Sequence, residues 1–267
     1  MHQKEAVIAP VLQTALEISV QVLSDFNTDA FGTFTRDVPR PGSQRETARR
    51  KAQAALAQSG HTLAIASEGA FFPHPAMPWV ACDRELILLL DGQHNLEVIG
   101  EVLSTQTNYA HATVQSEKAA MAFAQSIGFP EHGLVAMASA DDPTLLFKGL
   151  RSEADLMSAV EQILAQQGSA HLETDMRALH NPTRMGVIEQ ATHQLVKLLQ
   201  QCCPQCDYPG FEVVQQVPGL PCEWCQSPTA LVKADVYQCQ HCRHQARVNF
   251  PEGMRAASPA QCGFCNP

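Results

Sequence analysis

Four Cys-x-x-Cys pairs stand in the last quarter of the chain: Cys203/Cys206, Cys222/Cys225, Cys239/Cys242 and Cys262/Cys265. Each pair can wrap a tight turn around one metal ion. Two pairs together supply four thiolates, the tetrahedral sulfur set that suits Zn²⁺. The spacers between pairs hold 15, 13 and 19 residues, long enough for the strands of a zinc ribbon. Disulfides would need an oxidising compartment, and iron–sulfur ligands run more compactly. Two structural zinc ions are therefore expected, held by these eight cysteines. The spacing leaves two ways of sharing them. In a nested arrangement Cys222/Cys225 joins Cys239/Cys242 and the outer pairs meet. In a sequential one the first pair joins the second and the third joins the fourth. Cys202 reads as a bystander, and His241 and His244 are near enough to substitute as ligands. Trp224 and Phe264, inside the knuckle turns, read as part of a small core.

Chemistry in the rest of the chain is less plainly written. Three segments concentrate polar residues of catalytic type. Thr28–Thr35 and Arg40–Lys51 place glycines, hydroxyls and cations before and within a helix N-terminus, which suits an anion cradle. Glu68 follows a short apolar run, Thr62–Ala66, and an acid at a strand's C-terminal end is well placed for a site in an α/β fold. It could bind Mg²⁺ or activate water, with His74 assisting from between two prolines. Asp83 and Glu85 fall at i, i+2 and share a face of the next strand. The third segment, Glu173–Met185, presents Arg177 and Arg184 around an Asn181-Pro182 break. It reads either as a phosphate-binding loop or as a salt-bridged strap. Cys82 reads as a small buried residue.

The elements that must position these residues follow from periodicity and stop signals. Ala6–Ile8 and the alternating Leu16–Leu23 read as strands. Ser43–Gln58 reads as a helix with a Ser43/Glu46 capping box and a Ser59-Gly60 stop. Leu86–Leu90 and Leu96–Leu103 form a hairpin across Asp91-Gly92. Ser116–Ile127, Ser152–Gln167 and Thr183–Gln201 read as helices, and Leu134–Ala138 and Leu145–Lys148 as strands. Helices alternating with strands argue for an α/β body with a mixed sheet and flanking helices over residues 1–201. A zinc-ribbon-like tail occupies 202–267.

Composition narrows the function classes. The chain has 267 residues, 45% of them hydrophobic, and a net charge of −9. It can build a core and does not attract nucleic acid by charge. From Cys202 onward four basic residues face five acidic ones. Each Zn²⁺ in a tetrathiolate site carries a net −2, which takes the tail from −1 to −5, the wrong sign for phosphate contacts. No apolar run is long enough for a membrane span, and the start has no signal-peptide form, so a cytoplasmic location is expected. There is no Walker loop, Rossmann fingerprint, nucleophile elbow or His-Glu-x-x-His helix.

Taken together, Thr28–Thr35, Gly42–Lys51, Ser67–Pro75, Glu173–Met185, Gly219–Cys222 and the final Cys265-Asn266-Pro267 resemble a bacterial domain family of unknown function, over nearly the whole chain. A shorter stretch, residues 40–90, resembles the inosine/xanthosine triphosphate pyrophosphatases through Glu46-Thr47…Lys51 and Ile65-Ala66-Ser67-Glu68-Gly69. That resemblance implies a divalent metal near Glu46 and Glu68, with basic residues on the phosphates. This chain departs from it at Ile8-Ala9-Pro10-Val11, where the family's phosphate loop has Asn and Lys. Two function classes follow. One is a metal-dependent hydrolase of a phosphorylated, nucleotide-like small molecule, with Glu46, Glu68 and His74 as catalytic residues and Arg45, Lys51, Arg177 and Arg184 binding substrate. The other is a non-catalytic zinc-binding module that docks a protein partner through an exposed apolar patch around Trp224, Tyr237 or Phe264.

Overall fold

The computed structural model describes residues 3–31, 42–140 and 142–266. The expectations placed on Gly32–Thr35, Arg40 and Pro267 lie outside these residues. The chain divides into two compact units. The first is Met1–Asn95 with Ile99–Val196, and the second is Leu96–Val98 with Lys197–Pro267.

The first unit opens with a helix, α1 (Glu5–Leu16), where the sequence suggests a short strand at Ala6–Ile8. Ile8 and Leu12, four apart, are its buried residues, and helical spacing decides over the short apolar run. Glu17 ends the helix in a left-handed conformation. The alternating residues beyond it form no strand, and Val22 is exposed. Alternation alone does not make a strand when no neighbouring strand takes up its backbone groups. A 3₁₀ turn, Thr28–Phe31, follows.

Helix α2 (Gln44–Ser59) forms as its caps dictate. Ser43 Oγ accepts from the Glu46 amide, Glu46 Oε2 accepts from the Ser43 amide at 2.8 Å, and Gly60 closes the end. Its buried Thr47, Ala48 and Ala52 pack on a three-stranded sheet of β1 (Leu63–His74), β2 (Met77–Asp91) and β3 (Leu96–Ser104), in that order. The β1–β2 ladder is antiparallel, with Glu68 opposite Leu86, Gly69 opposite Glu85 and Phe71 opposite Asp83. Opposite partners share a face. One face therefore carries Ala64, Ala66, Glu68, Leu86 and Leu88, and α2 covers its apolar part. The other carries Ser67, Gly69, Phe71, Asp83 and Glu85. Strand β1 runs well past Ala66, so Glu68 stands mid-strand rather than at a strand end. Gly69 and Pro73 look like terminators in sequence, but Gly69 is an interior ladder residue and Pro73 lies beside the register shift near the hairpin end.

A second sheet has the order β4 (His111–Val114), β7 (Ala170–Thr174), β5 (Leu134–Ser139), β6 (Asp142–Leu150). Helices α3 (Glu117–Ser126) and α4 (Glu153–Gln167) cover one face. Ala120, Ala124, Leu156 and Ile163 pack there against Leu134, Ala136 and Leu172. Strands β4 and β7 were not anticipated, because four or five residues carrying His, Thr and Glu give little apolar alternation. Helix α5 (Pro182–Gln200) starts with Pro182 at its first turn, where the missing amide hydrogen costs nothing. Its backbone at Ala191 and Leu195 lies so close to Gly100 of β3 that no side chain would fit there.

In the second unit β8 (Glu212–Pro218), β9 (Val232–Gln238) and β10 (Gln245–Asn249) form an antiparallel meander with β9 central. Cys203, Phe211 and Cys239 are the buried centre of a small cluster that includes Tyr208 and Tyr237. The Phe211 and Tyr237 rings stack at 5.6 Å. No helix among the described residues is long and apolar enough to cross a membrane.

Candidate functional site

The meander decides how the cysteines meet. Glu212 at the start of β8 stands opposite Gln238 at the end of β9. The first knuckle precedes β8 and the third follows β9, so both lie at one end of the sheet. The second knuckle follows β8 and the fourth follows β10, towards the other end. The sulfurs accordingly cluster as Cys203/Cys206 with Cys239/Cys242, and Cys222/Cys225 with Cys262/Cys265. This interleaved pairing is neither the nested nor the sequential one that spacing suggested. Linear spacing cannot see a strand register, which is what chooses the partner.

The donor set fits zinc. Within each cluster the four Sγ atoms lie within 4.8 Å of one another. Closest approaches are 3.7 Å for Cys203–Cys242 and Cys206–Cys239, and 3.6 Å for Cys225–Cys262. A tetrahedron with Zn–S arms of about 2.3 Å has edges near 3.8 Å. A disulfide would need about 2 Å, and all ten cysteines are free. The Gln205 amide points at Cys203 Sγ and the Cys242 amide at Cys239 Sγ, both at 3.4 Å, the outer contacts that steady a thiolate. Cys202 is exposed and belongs to neither cluster. His241 stacks on Tyr208 at 4.9 Å, His244 on Phe211 at 6.1 Å, and neither imidazole is needed as a ligand. Two tetrathiolate sites, compatible with two zinc ions, are thus built into the second unit.

Trp224 and Phe264 are not core. They are 74% and 77% exposed. Each occupies the position just before the last cysteine of its knuckle, and both knuckles belong to the same site. A two-residue turn folded around a metal sends its second side chain outward, away from the ligands. Tyr237, by contrast, packs in the small cluster.

In the first unit the expected catalytic residues find specific partners. Glu46 is spent on the helix cap: its Oε2 accepts from the Ser43 amide and hydroxyl, which holds its carboxyl below the usual range. Glu68 forms an ion pair with Lys51. Gln44 Nε2 donates to the Glu68 and Arg84 carbonyls at 2.8 Å, pinning α2 to β1 and β2. His74 sits at the hairpin end and accepts from the Ala76 amide. Arg45 is exposed on α2. Arg184 is 1% exposed and bonds Glu85 Oε1 through Nε at 2.6 Å. Its Nη1 donates to the Met176 carbonyl, and Phe71 lies under the guanidinium at 5.3 Å. Arg177 grips buried Asp175 through Nε at 3.0 Å and Nη2 at 2.6 Å. Asp175 also accepts from the Gly149 amide. His180, whose Nε2 is 4.0 Å from Asp175, is kept below its ordinary pKa chiefly by burial. Cys82 is buried, its thiol donating to the Phe72 carbonyl at 3.1 Å. Among the described residues, the clusters of three or more side chains that could hold an ion are the two cysteine sets.

Two groups escaped the sequence reading. Lys4 reaches across to Ser67 Oγ at 2.9 Å, and a lysine at a chain start carries no signal for that. His171 Nε2 donates to Glu173 Oε1 at 3.1 Å along β7, a strand the pattern did not reveal.

No curated protein and no solved structure matches the chain. The pyrophosphatase resemblance gains nothing from these comparisons. A family model described as "Domain of unknown function (DUF6671)" matches residues 51–267, well over half of the chain and including both cysteine sites, and the chain belongs to that family.

Proposed function

We propose that this chain is a zinc-dependent docking protein that binds a protein partner through Trp224 and Phe264. The observation that carries the reading is the exposure of these two aromatics on the paired knuckles of one tetrathiolate site. Large apolar side chains held out by rigid turns lose little entropy on binding, and aromatics of this kind anchor interfaces. The zinc ions are the scaffold rather than the chemistry, since closed four-ligand sites leave no position for substrate. The tail's net charge, −5 with both ions bound, favours a partner segment that is basic and carries apolar side chains.

The hydrolase reading asks Glu46 and Glu68 to share a divalent ion. Their carboxylates hold Ser43 and Lys51 instead, and these contacts favour docking over hydrolysis. The test is binding of basic amphipathic peptides to the zinc-loaded chain, with the W224A/F264A variant as control. A phosphate-release screen against E68Q tests the rival: metal-dependent turnover lost in that variant would displace the docking reading.

A further inference from the structure

Asp83 is wholly buried, and neither of its carboxyl oxygens has a hydrogen-bond donor among the described residues. Two residues along β2, on the same face, Glu85 is equally buried. Glu85 Oε1 accepts from Arg184, while Oε2 has no donor among them either. Two residues apart on one strand face, the two carboxyl groups are neighbours with no donor between them. Ionised carboxylates are acceptors only, so this pair lacks a hydrogen. Three orphaned acceptor atoms in one buried place would be costly. A single proton between the two groups removes most of that cost, as in carboxyl pairs too close to ionise together.

We propose that Asp83 and Glu85 hold one proton between them, Asp83 donating to Glu85 Oε2, and that this buried proton site makes the first unit pH-sensitive.

The surroundings say which partner carries the proton. Helix α5 contributes Arg184, a fixed cation whose Nε donates to Glu85 Oε1. Across the ladder, β1 contributes Gly69 and Phe71, neither of which titrates. The segment before α1 contributes Lys4, bound to Ser67 on the same face of β1. On the opposite face, Glu68 pairs with Lys51, and Arg84 with Glu101 at 2.6 Å. Neighbouring Cys82 turns its thiol to the Phe72 carbonyl. Of the two acids, Asp83 is the one with no bonded cation among the described residues. Burial first, and the Glu85 charge second, push its pKa up to about 8, with Arg184 and Lys4 offsetting part of the rise. An acid raised in the fold keeps its proton where the unfolded chain has lost it. Stability is therefore greatest below the unfolded value of about 4 and declines as pH rises to about 8.

The experiment uses the full zinc-loaded chain with ¹³C-labelled aspartate and glutamate side chains. One aspartate carboxyl should titrate near pH 8, and its signal should vanish in D83N. An infrared band of a protonated carboxyl should persist at neutral pH and be missing from the same variant. If every carboxyl of the unmodified chain titrates in the ordinary carboxylate range, the proposal is overturned. A pair of variants supplies a second arm. The side-chain amide introduced by D83N offers a permanent hydrogen to Glu85, so this variant should fold and lose the pH slope between 4 and 8. E85Q takes the carboxylate charge away from buried Arg184 and should be the far less stable of the two. Equal damage from both would also overturn the shared proton.

Discussion

Glu212 stands directly opposite Gln238 at one end of the β8–β9 ladder, and this register makes the cysteine knuckles meet in alternation. The outcome is a cross-braced unit in which each metal site ties together segments separated by two strands. Neither site can form without the sheet, and the sheet is too small to hold without the sites.

Interleaving has a direct stoichiometric consequence. C206S and C242S remove ligands from one site, so each variant, and the double variant, should retain one zinc per chain. C206S/C225S strikes both sites and should retain none. Nested or sequential sharing requires C206S/C242S to lose both ions. Metal content by native mass spectrometry distinguishes the cases.

Gly69 is needed for space rather than for an unusual backbone angle. A Cβ there would collide with the Glu85 carboxylate and the Arg184 guanidinium. G69A should cost about 2 kcal/mol by crowding. E85A leaves Arg184 buried without its carboxylate and should cost about 3–5 kcal/mol. Urea unfolding of the zinc-loaded chain measures both. A G69A protein as stable as the parent would contradict the packing described for this face.

Lys4 gives a second pH window, opposite in sign to that of Asp83. Burial lowers its pKa from 10.5 to about 8, with the Arg184 charge adding to the effect. Between those values the unfolded chain still holds a proton that the fold has released. Stability should therefore rise with pH across the window from about 8 to 10.5. K4M should flatten that rise in thermal melts.

Much of the architecture was legible because it is local. The Ser43/Glu46 cap, the glycine stop at Gly60 and the serine caps at Ser116 and Ser152 each fix a helix end from three or four residues. The hairpin across Asp91-Gly92 is equally local. What escaped reading was non-local. Strand β7 is central in its sheet yet five residues long, and its pairing with β4 and β5 is visible only in the fold. The eight cysteine ligands were legible from type and spacing, but their sharing was not. Asp83 and Glu85 were legible as neighbours on one face. That Arg184, 99 residues away, would bond one of them and leave the other orphaned was not. For Trp224 and Phe264 hydrophobic type allows either a small core or an exposed patch, and the two-residue knuckle turn, which has no interior to hold them, decides for exposure.

The most direct test of the docking account is fluorescence titration of the zinc-loaded chain, in a W79F background so that Trp224 reports alone. The probes are a basic amphipathic peptide rich in lysine and leucine, and an acidic peptide with the same apolar residues. The account predicts a saturable shift of Trp224 emission with the basic peptide only, weakened by salt and reduced at least tenfold in affinity by F264A. An emission unchanged by the basic peptide, or a response that F264A leaves intact, would contradict it.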